Sequence, residues 1–397
     1  MSAISDEQRR ARLATRHRLA PTARASSVLE AVSAMTCLHA TEPASVYLSV
    51  FARCEASRED IEEALYVDRS VVRQLAMRRT VFAFPRSLLP AVWGSAAKRV
   101  AAQQRARLAK EVVSGGITSL GEAWVERNLA AVLALVTERG PMTTMQLRAE
   151  LPELDVRMTY APGKSYSTTI PIAPRVLTTL AAEGTIVRGD NAGGWKTSRP
   201  RWTVTEQWLG EPAEPVSERE GYAQLVTSWL STFGPGSEAD LVWWLGATKF
   251  AVRRALDDVA ACGVGLEGPS GATGWVLPDD AQTLPRPEPW AALLPVLDPT
   301  VMGWRQRGFY LGPHAERLFD VNGNAGTTAW WDGRIVGGWH QLPGGEVRLL
   351  LLEDLGAEAT TALQAEADRL TAWLDGEVVK SVYASPLVRA ISRPPTK

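Results

Sequence analysis

The chain has 397 residues, 45% of them hydrophobic and 22% charged, with a formal net charge of −1. That length predicts two or three domains, and the composition supports a substantial core. No run of about 18 apolar residues occurs, so no membrane span is expected. The three cysteines, Cys37, Cys54 and Cys262, form no CxxC and no Cys/His cluster with zinc spacing. No metal site is therefore expected, and the default location is a reducing cytoplasm.

The N-terminal stretch MSAISDEQRRARLATRHRLA is polar and Arg-rich and lacks the apolar core of a secretory signal. Residues 1–110 hold 18 Lys/Arg against 10 Asp/Glu. A basic first quarter suits a phosphate-facing surface, although solvated helix faces give the same count. Next comes MTCLHATEPASVYLSVFAR, residues 35–53, an apolar turn and helix with His39 and Thr41 spaced i, i+2. In an extended segment those two share a face and Glu42 points away.

A pattern then recurs: a capping Ser or Thr, a short polar helix, a second helix, and two β-like runs around a turn. Its copies begin at Ser57, Thr143 and Ser237. Ser57 with Asp60 three residues on approximates a capping box. In the second copy Gly184 closes a helix from Arg175, and DNAGG links TIVRG to WKTSRPRWTV as a hairpin. That hairpin bears Arg188, Lys196, Arg199 and Arg201 with Trp195 and Trp202, so it reads as a phosphate-contacting wing. The order helix, helix, strand, turn, strand is that of a winged helix. Between the first two copies runs a long basic helix with Lys98 and Arg99 near its start. Turn signals at NGN and WDGR mark a C-terminal β-rich portion, closed by a helix at about 357–376. Thirteen of the 15 tryptophans follow residue 190, most of them expected in the core and some beside a concave surface.

The predicted fold class is α+β: three tandem winged-helix domains with a C-terminal β-rich portion. The expected boundaries are 1–125, with the His39 motif and the basic helix, then 126–212, then 213–397.

LHATEPASVYLSVFAR resembles the opening motif L-Q-A-Q-x-P-x-x-x-Y-L-S-L-W-A-R of the AlkZ/YcaQ-type winged-helix DNA glycosylases. MRRTVFAFPRSLLP, LTTLAAEGTIVRG, FGPGSEADLVWWLG, LLPVLDPTVMGWRQR and NGNAGTTAWWDGRIVGGW are similar to further family segments, in the expected order over about residues 8–375. The resemblance implies a DNA glycosylase that excises N7-alkylguanines, including bulky natural-product adducts, as repair or self-resistance. It implies three winged helices around double-stranded DNA, no metal or cofactor, and a monomer. The family's Gln-x-Gln or Gln-x-Asp pair, which holds the hydrolytic water, is replaced here by His39-x-Thr41. A neutral imidazole can accept a proton from water, and Thr41 can orient it. The catalytic candidates are thus His39 and Thr41, with Glu42 ranked below. The DNA-binding candidates are Arg53, Arg78, Arg79, Lys98, Arg99, Arg188, Lys196, Arg199 and Arg201. With no lysine beside the motif, a monofunctional enzyme is expected. The alternative is a DNA-binding protein without chemistry, a regulator or an adduct-shielding relative.

Overall fold

The computed structural model describes residues 3–160, 167–212, 214–267 and 272–392. The turn of the third hairpin, at 268–271, lies outside the described residues, as does part of the polar insert of the second copy, at 161–166.

Three units share one topology, but the first corrects the copy read from Ser57: one helix, not two, follows that cap, and its two partners lie upstream at Val28–Ala34 and Pro43–Phe51. The first unit runs helix Val28–Ala34, strand Leu38–His39, helix Pro43–Phe51, then helix Arg58–Glu62 passing into a π turn at Glu63–Val67. The hairpin Val71–Ala76 and Thr80–Pro85 follows, and Thr80–Pro85 lies between the other two strands. The second unit repeats this with helix Gly121–Arg139, strand Met142–Thr143, helices Thr144–Glu150 and Ala173–Ala182, and hairpin Ile186–Asn191 and Pro200–Val204. An extra hairpin, Arg157–Tyr160 and Thr168–Pro171, is inserted between its second and third helices. The third unit has helices Glu218–Phe233, Glu238–Leu245 and Lys249–Asp258 and hairpin Cys262–Leu266 and Thr273–Val276. Its first strand is reduced to a single bridge, Gly236 to Trp275.

Local chemistry explains why these elements start and stop where they do. Ser57, Thr143 and Ser237 each accept from the third helical N–H, and Asp60, Gln146 and Asp240 return the bond to the cap backbone. Each such cap is worth about 1 kcal/mol. Gly184, at φ +76°, adopts the left-handed conformation that a side chain resists. The WDGR turn is a two-residue hairpin with Asp332 at φ 43° and Gly333 at φ 80°.

Among the described residues two large cores and one small cluster, Ile4 with Val264, Leu266 and Val276, hold the chain. One runs through the first unit, the third unit and the C-terminal sheet; the second unit has its own. The C-terminal sheet is a meander, Ala291–Leu294, Thr328–Trp331, Arg334–Gln341 and Val347–Leu351, backed by helix Gly356–Leu374. Two expectations need correction here. Residues at the N-terminus, assigned to the first domain, pack on the third: strand Ala3–Ile4 pairs in parallel with Cys262–Leu266, and Arg16 donates to Gly234 O. The helix ending at Leu374 also does not close the chain. A further segment crosses back over the C-terminal sheet to helix Pro386–Ser392, with Val379 N donating to Gln341 Oε1.

The element that positions the motif is helix Pro43–Phe51, buried along its entire length. A helix apolar on all faces belongs inside a core. Burying a side chain such as Val50 or Phe51 contributes roughly 1.5–3 kcal/mol each. A charge introduced at Val50 would abolish that packing.

Candidate active site

His39 ends the edge strand of the first sheet. It pairs with Phe82, and Ala40 N donates to Val81 O at 2.9 Å. Pro43 is the first residue of the next helix, and the preceding Glu42 is held extended at φ −99°, ψ 121°. The strand therefore cannot continue. This corrects the reading of 39 and 41 as two residues on one strand face: His39 is 9% exposed, whereas Thr41 lies in the following bend and is exposed. Glu42 turns to the C-terminal segment, its Oε1 accepting from Val382 N at 2.9 Å.

The His39 ring rests edge-on against Phe82, with centroids 5.5 Å apart. Its Nδ1 is buried without a hydrogen-bond partner among the described residues. Burial, reinforced by the charge of Arg78, pushes its pKa down to about 3. At neutral pH the imidazole is uncharged and keeps a free lone pair.

Arg78 and Arg79 form the tip of the hairpin beside it, both in the left-handed region at φ 54° and φ 62°. Two consecutive non-glycine residues there cost on the order of 1–3 kcal/mol each. The strain is offset across the unit boundary. The Arg78 guanidinium lies over the Trp243 ring at 4.1 Å, and Arg307 approaches the same ring at 5.5 Å. Burial, then repulsion from Arg307, lowers the Arg78 pKa to about 10. Neither guanidinium forms an ion pair among the described residues; Arg307 donates to Trp304 O instead. Among the described residues, two cations thus flank one indole without an ion-paired carboxylate, next to a neutral histidine. The sequence alone does not join Trp243 to residue 39, because the helix carrying it lies some 200 residues away and meets the hairpin only in three dimensions.

The remaining DNA-contact candidates divide. Arg79, Lys98, Arg99, Arg199 and Arg201 are exposed. Arg53 is not available for DNA: it is fully buried and bidentate with Asp298. Arg188 is also corrected. It is partly buried and packs on Trp202 at 4.6 Å; burial, then Arg73, pushes its pKa down to about 10. Lys196 is engaged as well, in an ion pair with Glu377. The tip of the second hairpin is docked on the protein, since Trp195 is buried between Tyr47 at 5.4 Å and Trp373 at 5.9 Å.

The helix–hairpin units thus place a cationic aromatic site where two of them meet. The family model described as DNA glycosylase AlkZ-like matches residues 32–373, and the chain belongs to that family. The fold is similar to that of Streptomyces sahachiroi DNA glycosylase AlkZ, with a TM-score of 0.72 at 19% identity over 96% of this chain and 98% of that one. Among curated proteins no relative matches the sequence. The protein is accordingly a DNA glycosylase of the AlkZ-like family, with DNA as its partner. Among the described residues, no helix is long and apolar enough to cross a membrane.

Proposed function

We propose that this protein is a monofunctional DNA glycosylase that hydrolyses the N-glycosidic bond of N7-alkylguanine, including bulky natural-product adducts, in double-stranded DNA. The three units are read as tandem winged helices, dividing the chain near residues 125 and 212, and acting as a monomer without metal or cofactor. The observation that carries the reading is the pairing of neutral His39 with two uncompensated cations, Arg78 and Arg307, on Trp243. A flanking phosphate supplies the missing negative charge, and His39 then faces the sugar of the lesion.

An N7-alkylated guanine is already cationic. As the C1′–N9 bond breaks, its electron pair returns to N9 and the base leaves neutral, so no general acid is needed. Water adds to the oxocarbenium carbon, forming the C1′–O bond. The attached water is then far more acidic than an imidazolium, and its proton passes late to His39 or to solvent. A histidine of low basicity suffices for that step, because its main task is to hold the water by accepting a hydrogen bond. Thr41, exposed in the bend, contributes a hydroxyl to the same water once DNA covers it.

A second reading, a DNA-binding relative without chemistry, rests on the low basicity of His39 and the exposure of Thr41. One experiment separates them. Duplexes carrying a single N7-methylguanine or a single bulky N7-guanine adduct are incubated with wild type and His39→Ala, then cleaved by alkali. Excision by wild type alone, with nearly unchanged DNA affinity in the variant, is the expected outcome. Borohydride should trap no protein–DNA adduct. Tight binding without excision across an adduct panel would establish the binder instead.

A further inference from the structure

Among the described side chains, Phe250 is the one aromatic that is exposed, at 72%; every tryptophan and tyrosine among them is at least partly covered. It sits in the first turn of helix Lys249–Asp258, the third helix of the third unit. That helix is amphipathic, burying Ala251, Val252, Ala255 and Leu256. Phe250 lies on the opposite, solvent stripe, where a polar residue is the ordinary choice. Exposed Lys249 precedes it, and Arg254, one turn on, holds its guanidinium over the ring at 5.5 Å.

The position is tied to the active site by a short stretch of chain. Gly246, four residues earlier, ends the preceding helix at φ +61°. A Cβ placed on it would lie 3.4 Å from Arg78 Cγ, so its backbone packs directly on the strained hairpin tip beside His39. Thr248 then caps the Phe250 helix, its hydroxyl accepting from Ala251 N at 3.1 Å. Four residues span at most about 14 Å, a distance of roughly four base steps along a strand at 3.4 Å per step.

We propose that Phe250 is a wedge that inserts into the base stack of bound DNA within a few base pairs of the lesion. A protein-binding surface would present a contiguous apolar patch. Phe250 instead stands alone among Thr248, Lys249 and Arg253, all exposed and polar. Cations on either side suit a polyanion, and a flat ring fits between bases, whose faces accept any aromatic partner. The inference rests on DNA being the partner and not on which lesion is excised.

The test uses the full chain and a duplex with a central stable abasic analogue, with 2-aminopurine placed in turn at each position within one helical turn. Wild type should raise the fluorescence several-fold at one or two adjacent positions, reporting local unstacking. Phe250→Ala should abolish that rise and weaken binding by about ten-fold, the scale of one lost base–aromatic stack. Phe250→Trp should restore both, and far-UV dichroism should be unchanged, since the residue is exposed. The proposal is overturned if wild type unstacks no position, or if Phe250→Ala matches wild type in both readouts. Unchanged DNA behaviour with altered self-association in sedimentation would also overturn it, assigning Phe250 to a contact between copies. Because no excision is measured, failure here is distinct from failure of the lesion assignment.

Discussion

Arg53 and Asp298 form a fully buried, bidentate ion pair, with Nη1–Oδ2 at 2.8 Å and Nη2–Oδ1 at 2.7 Å. It ties the end of the motif helix to the turn after Ala291–Leu294. Burial alone would push the Asp298 carboxyl up. The Arg53 charge, the Ser49 hydroxyl at 2.7 Å and the Thr300 N–H at 2.9 Å reverse this and hold its pKa below the usual carboxylate range. Removing one partner strands a buried charge, so Arg53→Ala should cost about 3–5 kcal/mol. Urea denaturation measures this. Arg53→Met combined with Asp298→Leu should recover most of the loss, and an exposed, dispensable Arg53 would leave the midpoint unmoved.

The state of His39 predicts the pH dependence of excision. With a pKa of about 3, it stays neutral from pH 5 to 8. An ordinary histidine at about 6.5 would lose its acceptor as pH fell through that range. Subsaturating single-turnover rates should therefore be flat between pH 5 and 8 with respect to this residue. A tenfold loss per pH unit below 6.5 would show that His39 titrates normally.

Acid should weaken the fold through a second histidine. His17 is completely buried; its Nε2 donates to Thr232 O at 3.2 Å, and its Nδ1 accepts from the Thr300 hydroxyl at 2.9 Å. Burial, then Arg53, pushes its pKa down to about 3. The unfolded chain binds that proton near pH 6.5 and the folded chain does not. The stabilisation is thus complete above about 6.5 and falls as pH drops toward 3, by about 1.4 kcal/mol per pH unit within the window. Urea midpoints at pH 8, 6, 5 and 4 should decline accordingly, and His17→Gln should flatten the decline by one proton's worth.

The cations of the second hairpin are not equivalent. Arg199 and Arg201 are exposed, whereas Lys196 is paired with Glu377. Replacing Arg199 and Arg201 together should weaken duplex binding and reduce the slope of log K against log salt by about one per lost phosphate contact. Lys196→Ala should leave that slope unchanged while loosening the docked tip. Equal slope losses for all three would mean that the tip swings free to meet DNA.

Much of the architecture was legible in the residues alone. The Ser57, Thr143 and Ser237 caps, the Gly184 turn and the WDGR hairpin act within three or four residues, so composition and spacing were enough to place the helix–helix–hairpin order from Thr143 and Ser237, but not from Ser57, after which Val71–Ala76 is already a strand. The motif around His39 was legible through its resemblance to the family's opening segment. What decided the roles of individual side chains was not local. Arg53 ends an apolar helix and reads as exposed until Asp298, 245 residues away, is brought against it. Lys196 and Trp195 read as a free wing until Glu377, Tyr47 and Trp373 close over them. His39 becomes a weakly basic, neutral group through its burial and the nearby Arg78, which Trp243 of another unit holds in place. Capping and turn energies depend on neighbours in sequence. Burial and charge depend on whatever the completed fold packs alongside, so the site's electrostatics existed only once distant units met.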